Sequence, residues 1–191
     1  MAAPLFKDVP DRTLYKSEIE WANKAGLLDG WRDGSFRPLA NISRCAMAAV
    51  FYRLSGEPYY VAPSTPSFPD APVTHQFYKE IEWVRERGLL NGYTDGTFRP
   101  ENNITRDATA ALFYRAAGSP AHAAPFTSPF EDIRTTQQFY KEICWMAEKK
   151  AASDGKEVTI STGWADGTFR ARSFTSRDAM AAFLFRFDKV V

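Results

Sequence analysis

The chain has 191 residues, with 24 Lys and Arg against 23 Asp and Glu, 45% hydrophobic and 15% aromatic residues, two cysteines and two histidines. So even a charge balance excludes the basic excess of a nucleic-acid binder, two cysteines cannot build a disulfide framework, and two histidines without clustered cysteines make a poor zinc site. No apolar run approaches the roughly 18 residues of a membrane span; the amino end, Met1 to Asp8, lacks the apolar stretch of a signal peptide, so an exported protein is expected to appear here as a processed or excised piece.

Self-similarity organises the rest. Phe6, Phe68 and Phe130, each followed two positions later by Asp8, Asp70 or Asp132, are spaced 62 residues apart, and Ile19, Ile81, Ile143 and Trp21, Trp83, Trp145 keep the same step. WRDGSFRP (31–38), YTDGTFRP (93–100) and WADGTFRA (164–171) correspond, and Ile-Ser-Arg (42–44), Ile-Thr-Arg (104–106) and Thr-Ser-Arg (175–177) follow them. The repeats span 6–56, 68–118 and 130–189, the last carrying an insertion at about 150–159. Connectors over 57–67 and 119–129 lie in the two stretches, Pro58 to Pro72 and Pro120 to Pro129, that hold eight of the twelve prolines; such segments are extended and semi-rigid.

In chain order, a first helix runs from Tyr15 through Ile19, Ala22 and Ala25 and stops at Gly26. A tight turn at Asp33-Gly34 is closed by Pro38, and Ser43 suits the N-cap of a second helix containing AMAAVFY (46–52). The pattern recurs with Phe77, Ile81, Val84 and Gly88, the turn Asp95-Gly96 before Pro100, and Thr105 before RDATAALFYRAAG (106–118); the third repeat has its turn at Asp166-Gly167 and Ser176 before AMAAFLF (179–185). These second helices are apolar almost all round, which places them at the centre of a structure. The expected fold is all-α, with the three second helices gathered around a pseudo-threefold axis.

Arg44, Arg106 and Arg177 each sit in the first turn of a second helix, against the positive end of its dipole. Two compensations are open. A carboxylate of the turn (Asp33, Asp95, Asp166) or of the next residue (Asp107, Asp178) can hold the arginine, or the guanidinium and free helix N–H groups can bind an external carboxylate or phosphate. The loop aromatics Trp31, Tyr93 and Trp164 either stack on a sugar or plug the loop onto the helices. Trp21, Trp83, Trp145 and the turn residues Phe36, Phe98 and Phe169 read as core, and Arg37, Arg99 and Arg170 as solvated or loop-bracing.

The Asp-Gly loops lack the alternating carboxylates and final Glu of a calcium loop, so no metal or cofactor is expected. His75 and His122 belong to no nucleophile motif, and no carboxylate pair stands out, so the chain is not expected to be an enzyme. Cys45 and Cys144 break the repeat; they are either a disulfide across repeats or two free thiols.

The order Phe-x-Asp, helix, G-[WY]-x-D-G-[ST]-F-R-P, then Ile-[ST]-Arg resembles the S-layer homology (SLH) repeat, of which three copies make the usual module. Here they cover essentially the whole chain. The family commonly starts its first helix with Trp-Ala, where this chain has Leu14-Tyr15, Gln76-Phe77 and Gln138-Phe139; its Thr-Arg-Ala-Glu becomes Ser-Arg-Cys-Ala, Thr-Arg-Asp-Ala and Ser-Arg-Asp-Ala. The resemblance implies a three-pronged spindle around a central three-helix bundle. It implies an extracellular module that anchors a surface or S-layer protein non-covalently to a bacterial cell wall. The partner implied is an acidic secondary cell-wall polysaccharide, pyruvylated in many members, held in grooves between repeats. Residue by residue, Arg44, Arg106 and Arg177 would take the acidic group and Trp31, Tyr93 and Trp164 the sugar face. Asp33, Asp95 and Asp166 would take hydroxyls or hold the arginines, with Asp107 and Asp178 in second rank. The alternative is a structural or assembly module that binds protein partners or neighbouring S-layer subunits.

Overall fold

The computed structural model describes residues 4–190; Met1, Ala2 and Ala3, which open the amino end read above for a signal peptide, and Val191 lie outside the described residues. The described residues form six helices and one small sheet: α1 (Lys16–Lys24), α2 (Arg44–Leu54), α3 (Tyr78–Glu86), α4 (Arg106–Ala116), α5 (Tyr140–Ala147), β1 (Lys150–Ala151), β2 (Glu157–Val158) and α6 (Arg177–Phe187). The architecture is thus all-α helix-loop-helix. The one departure among the described residues is the segment expected as an insertion at about 150–159, which folds as an antiparallel hairpin of β1 and β2. None of these helices is long and apolar enough to cross a membrane.

The short helices α1, α3 and α5 form where Ile19, Ile81 and Ile143 turn one apolar stripe inward, and each of these isoleucines is fully buried. Two end as the sequence indicates: Gly26 and Gly88 take left-handed backbone, and the N–H groups of Leu27 and Leu89 return to Ala22 and Val84. The longer helices α2, α4 and α6 are buried on most sides, in keeping with their apolar sequences.

Packing joins consecutive repeats: α2 lies on α3, α4 on α5, and α6 on α1. Each contact carries the same aromatic pair, with Tyr52 edge-on to Trp83 at 5.3 Å, Tyr114 to Trp145 at 5.4 Å and Phe185 to Trp21 at 5.3 Å. Trp83 and Trp145 are buried as expected, whereas Trp21 is half-buried. The chain accordingly divides into two compact units, one of residues 41–104 and one of residues up to 40 together with those from 105 onward. Within the first unit the proline-rich connector is pinned at both ends by tyrosine hydroxyls, Tyr52 to the carbonyl of Pro58 and Tyr78 to that of Pro63. Within the second, Tyr114 and Tyr140 hold Pro120 and Pro125 in the same way.

The helix starts refine the expected capping. Ser43, Thr105 and Ser176 all have the extended backbone of an N-cap, but only the Ser43 hydroxyl accepts a helix N–H, that of Ala46. In the other two repeats the hydroxyl donates instead to Asp107 or Asp178, whose Oδ1 accepts the N–H of Ala108 or Ala179. Cys45 occupies that position in the first repeat and has no carboxylate to offer, so the serine caps directly. Both cysteines are free and buried, which removes the disulfide.

Candidate functional site

Each Asp-Gly turn is built from the residue two places beyond the repeat's first phenylalanine. The carboxylate of Asp70 accepts the N–H groups of Phe98 at 2.9 Å and Arg99 at 2.7 Å; Asp8 and Asp132 do the same for Phe36 and Arg37, and for Phe169 and Arg170. Burial pushes the Asp8 carboxyl up, and these N–H donors more than reverse it, leaving it below the usual carboxylate value. The clamp holds Arg37, Arg99 and Arg170 in left-handed backbone (φ 56 to 57°), a strained conformation for a non-glycine residue. Phe68 then stacks on Phe98 at 5.2 Å and passes so close to Gly92 that a β-carbon there would overlap its ring. Phe36, Phe98 and Phe169 are fully buried, as their repeat positions suggested.

The turn carboxylates close their own loop. Asp33, Asp95 and Asp166 accept from the hydroxyl and N–H of Ser35, Thr97 and Thr168, and pair with Arg37, Arg99 and Arg170 at 3.4, 2.8 and 2.7 Å. The hydroxyl donors come first among the causes that hold Asp33 and Asp166 down at about 2, and they lower Asp95 further. Arg37, Arg99 and Arg170 are therefore loop braces.

The arginines of the helix starts go elsewhere. Arg44, Arg106 and Arg177 are buried, and each reaches into an Asp-Gly turn far away in sequence. Their Nε atoms donate to the carbonyls of Phe98 (2.7 Å), Phe169 (2.9 Å) and Phe36 (2.9 Å). A terminal nitrogen donates to the carbonyl of Asn91, the hydroxyl of Ser161 and the carbonyl of Asp29 respectively. The expected partners, the turn carboxylates, are engaged by the bracing arginines instead. Burial lowers all three guanidinium pKa values, to about 10 for Arg106 and Arg177, so they remain charged at neutral pH.

The first-turn N–H groups are also occupied. Arg44 and Cys45 donate to the carbonyls of Asn102 and Pro100, Arg106 and Asp107 to Ser173 and Ala171, and Arg177 and Asp178 to Ala40 and Pro38. Main-chain oxygens thus face both the helix dipole and the arginine. The helix start is not a free anion site, and the positive charge there is compensated by carbonyls.

This docking brings two guanidiniums over each loop aromatic. Trp31 has Arg177 at 4.3 Å and Arg37 at 4.5 Å from its ring centroid, Tyr93 has Arg44 at 4.9 Å and Arg99 at 3.9 Å, and Trp164 has Arg106 at 4.1 Å and Arg170 at 4.6 Å. The three rings nevertheless stay 38–40% exposed. They both plug the loop and present a surface.

Within the unit of residues up to 40 and from 105 onward, a cavity of about 370 Å³ opens beside Trp164. Its walls include Arg106 and Asp178 from the predicted set, joined by Tyr15, Ser161 and Arg186. Asp107, buried at its helix start, and Asp166, paired with Arg170, do not line it. The sequence reading missed Tyr15 and Arg186, although both recur: Tyr15 corresponds to Phe77 and Phe139, and Arg186 to Arg53 and Arg115. Tyr15 has left-handed backbone at the start of α1, and Arg186 stands 5.5 Å from its ring.

The model of the family described as "S-layer homology domain" matches residues 5–48 and 67–110. The chain is 32% identical over 162 residues to cell surface glycoprotein 1 of Acetivibrio thermocellus, which covers 83% of this chain and 7% of that protein. It is 37% identical over 93 residues to the cellulosome-anchoring protein of the same organism, covering 48% of this chain and 21% of the relative. Against the S-layer protein of Bacillus licheniformis the identity is 25% over 189 residues, 98% of this chain and 20% of the relative. The family's model thus matches two separate segments of the chain, and the chain spans less than a quarter of the length of each of these relatives.

Proposed function

We propose that the chain is a non-covalent cell-envelope anchor of a surface or S-layer protein, located at the wall or S-layer of a bacterium, and that it binds an acidic secondary cell-wall polysaccharide. Residues 130–189 are read as a third repeat beside 6–56 and 68–118, joined by the connectors 57–67 and 119–129. The pseudo-threefold spindle belongs to the same proposal.

The observation that carries it is the cavity beside Trp164. The Trp164 ring, 38% exposed at the wall of this cavity, offers aromatic surface to the C–H groups of a sugar. Arg106 and Arg186 supply positive charge for a carboxylate such as a pyruvate ketal, while Asp178 and Ser161 offer partners for hydroxyls. Arg44 over Tyr93, and Arg177 over Trp31, repeat the arginine–aromatic pairing in the other two repeats. Asp33, Asp95 and Asp166 act here by shaping the loop, and Asp107 by shaping its helix start.

Sedimentation with purified walls, before and after removal of the non-peptidoglycan polymer, tests the proposal. The chain should be retained only on untreated walls, and Trp164→Ala should weaken retention about tenfold, equivalent to about 1.4 kcal/mol. Retention on stripped walls would overturn the glycan reading in favour of a protein-binding or assembly module.

A further inference from the structure

Three metal-ligating side chains converge in the unit of residues 41–104. Glu101 Oε1 lies 3.2 Å from His75 Nε2 and 3.8 Å from Cys45 Sγ, and one donor atom from each residue falls within 4.8 Å of the others. They come from separate segments: Cys45 from the first turn of α2, His75 from the turn before α3, and Glu101 from the loop after the second Asp-Gly turn. The thiol is buried, the imidazole largely so, and the carboxylate open to solvent.

The repeat shows what this cluster replaces. Cys45 corresponds to Asp107, and Glu101 to Arg172. At that second junction the Asp107 carboxylate faces the Arg172 guanidinium at 3.9 Å, an anion against a fixed cation. In the 41–104 unit the arginine has become a glutamate, the aspartate a thiol, and a histidine has been added where the other repeats have Thr13 and Gln137. Every change introduces a metal ligand, and the fixed cation is gone.

We propose that Cys45, His75 and Glu101 bind one divalent cation of the zinc type, leaving a fourth position to water. A thiolate, an imidazole and a carboxylate form a mixed donor set that suits a borderline-soft ion and is poor for calcium or magnesium. Metal–ligand bonds of about 2.0–2.3 Å in a tetrahedron set neighbouring donors about 3.3–3.6 Å apart, close to the two short separations already present. On binding, the thiol proton passes to solvent. The His75 ring, whose Nδ1 accepts the N–H of Phe77 at 3.0 Å, gives its Nε2 lone pair to the metal and carries its proton on Nδ1, so this hydrogen bond is exchanged for the metal bond. The bound ion would tie the start of α2 to the segments on either side of α3, as Arg172 ties its loop to α4.

Cobalt(II) titration of the reduced 191-residue chain tests this site. One equivalent should produce a thiolate-to-cobalt charge-transfer band that zinc displaces. Cys45→Ser should abolish the band, Cys144→Ser should leave it, and Glu101→Gln, at an exposed position, should weaken binding at least tenfold with the helical circular dichroism unchanged. No band in the native sequence, a band lost with Cys144 rather than Cys45, or binding indifferent to Glu101→Gln would each overturn the proposal.

Discussion

The guanidinium of Arg177 stacks 4.3 Å from the ring centroid of Trp31, although one residue begins the last helix and the other lies in the first loop. The same arginine donates to the carbonyls of Phe36 and Asp29. It is therefore a brace between sequence-distant segments before it is anything else. Arg177→Ala and Arg106→Ala should each destabilise the protein by about 1.5–3 kcal/mol, because buried carbonyls lose charged donors, and should lower the thermal midpoint by about 3–12 °C. A lysine has one point charge instead of a planar fork and should restore little of this. Calorimetry of the two alanine variants checks the expectation; unchanged midpoints contradict it.

Asp70 accepts two main-chain N–H groups and holds Arg99 at positive φ. Asp70→Ala removes both acceptors and frees a strained turn, with an expected loss of about 2–4 kcal/mol. Urea unfolding with an unchanged m-value would show that stability, and not the extent of folding, has altered.

Gly92 faces the ring of Phe68 and the carbonyl of Thr97, the latter 2.8 Å from where a β-carbon would stand. Gly92→Ala should cost about 1–3 kcal/mol through overpacking. Phe68→Leu in the same background should recover part of the loss, which a double-mutant cycle measures directly.

Acid should open the loops later than ordinary carboxyl chemistry suggests. The folded pKa of Asp33 and Asp166 is lowered from 3.8 to about 2, principally by the hydroxyls of Ser35 and Thr168. Their contribution is present above the unfolded value and is lost as pH falls through about 2. Carboxyl NMR titration should place both groups near that value, and Ser35→Ala should move Asp33 back toward 3.8.

Much of this was legible in the sequence. The step from Ile19 to Ile81 to Ile143 located the first helices, and Ser43, Thr105 and Ser176 marked the second. Phe36, Phe98 and Phe169 were recognisable as core because an apolar residue kept its place through three copies. The partners of Arg44, Arg106 and Arg177 were not legible. A guanidinium announces a charge, and the obvious answer is a carboxylate nearby in sequence; main-chain carbonyls carry no signature, and Arg44 finds that of Asn91, 47 residues away. The same holds for Cys45, His75 and Glu101, whose grouping depends on α2 lying against the second repeat. Arg186 and Tyr15 were within reach of the period but sit outside the conspicuous turn motif.

The forward step of the arginines, from each repeat to the turn of the next and from the last to the first, bears on how such a chain can evolve. A copy cut from the end at residue 118 would strand Arg106 without the Phe169 carbonyl and leave Trp31 with one guanidinium instead of two. Removing residues after 118 would therefore break contacts made by Arg106 and contacts made to Trp31 and Phe36. Loss of the last segment would thus remove bonds that hold both the first loop and α4, whereas the hairpin at residues 150–158 and the thiol of Cys45 alter the pattern without breaking them.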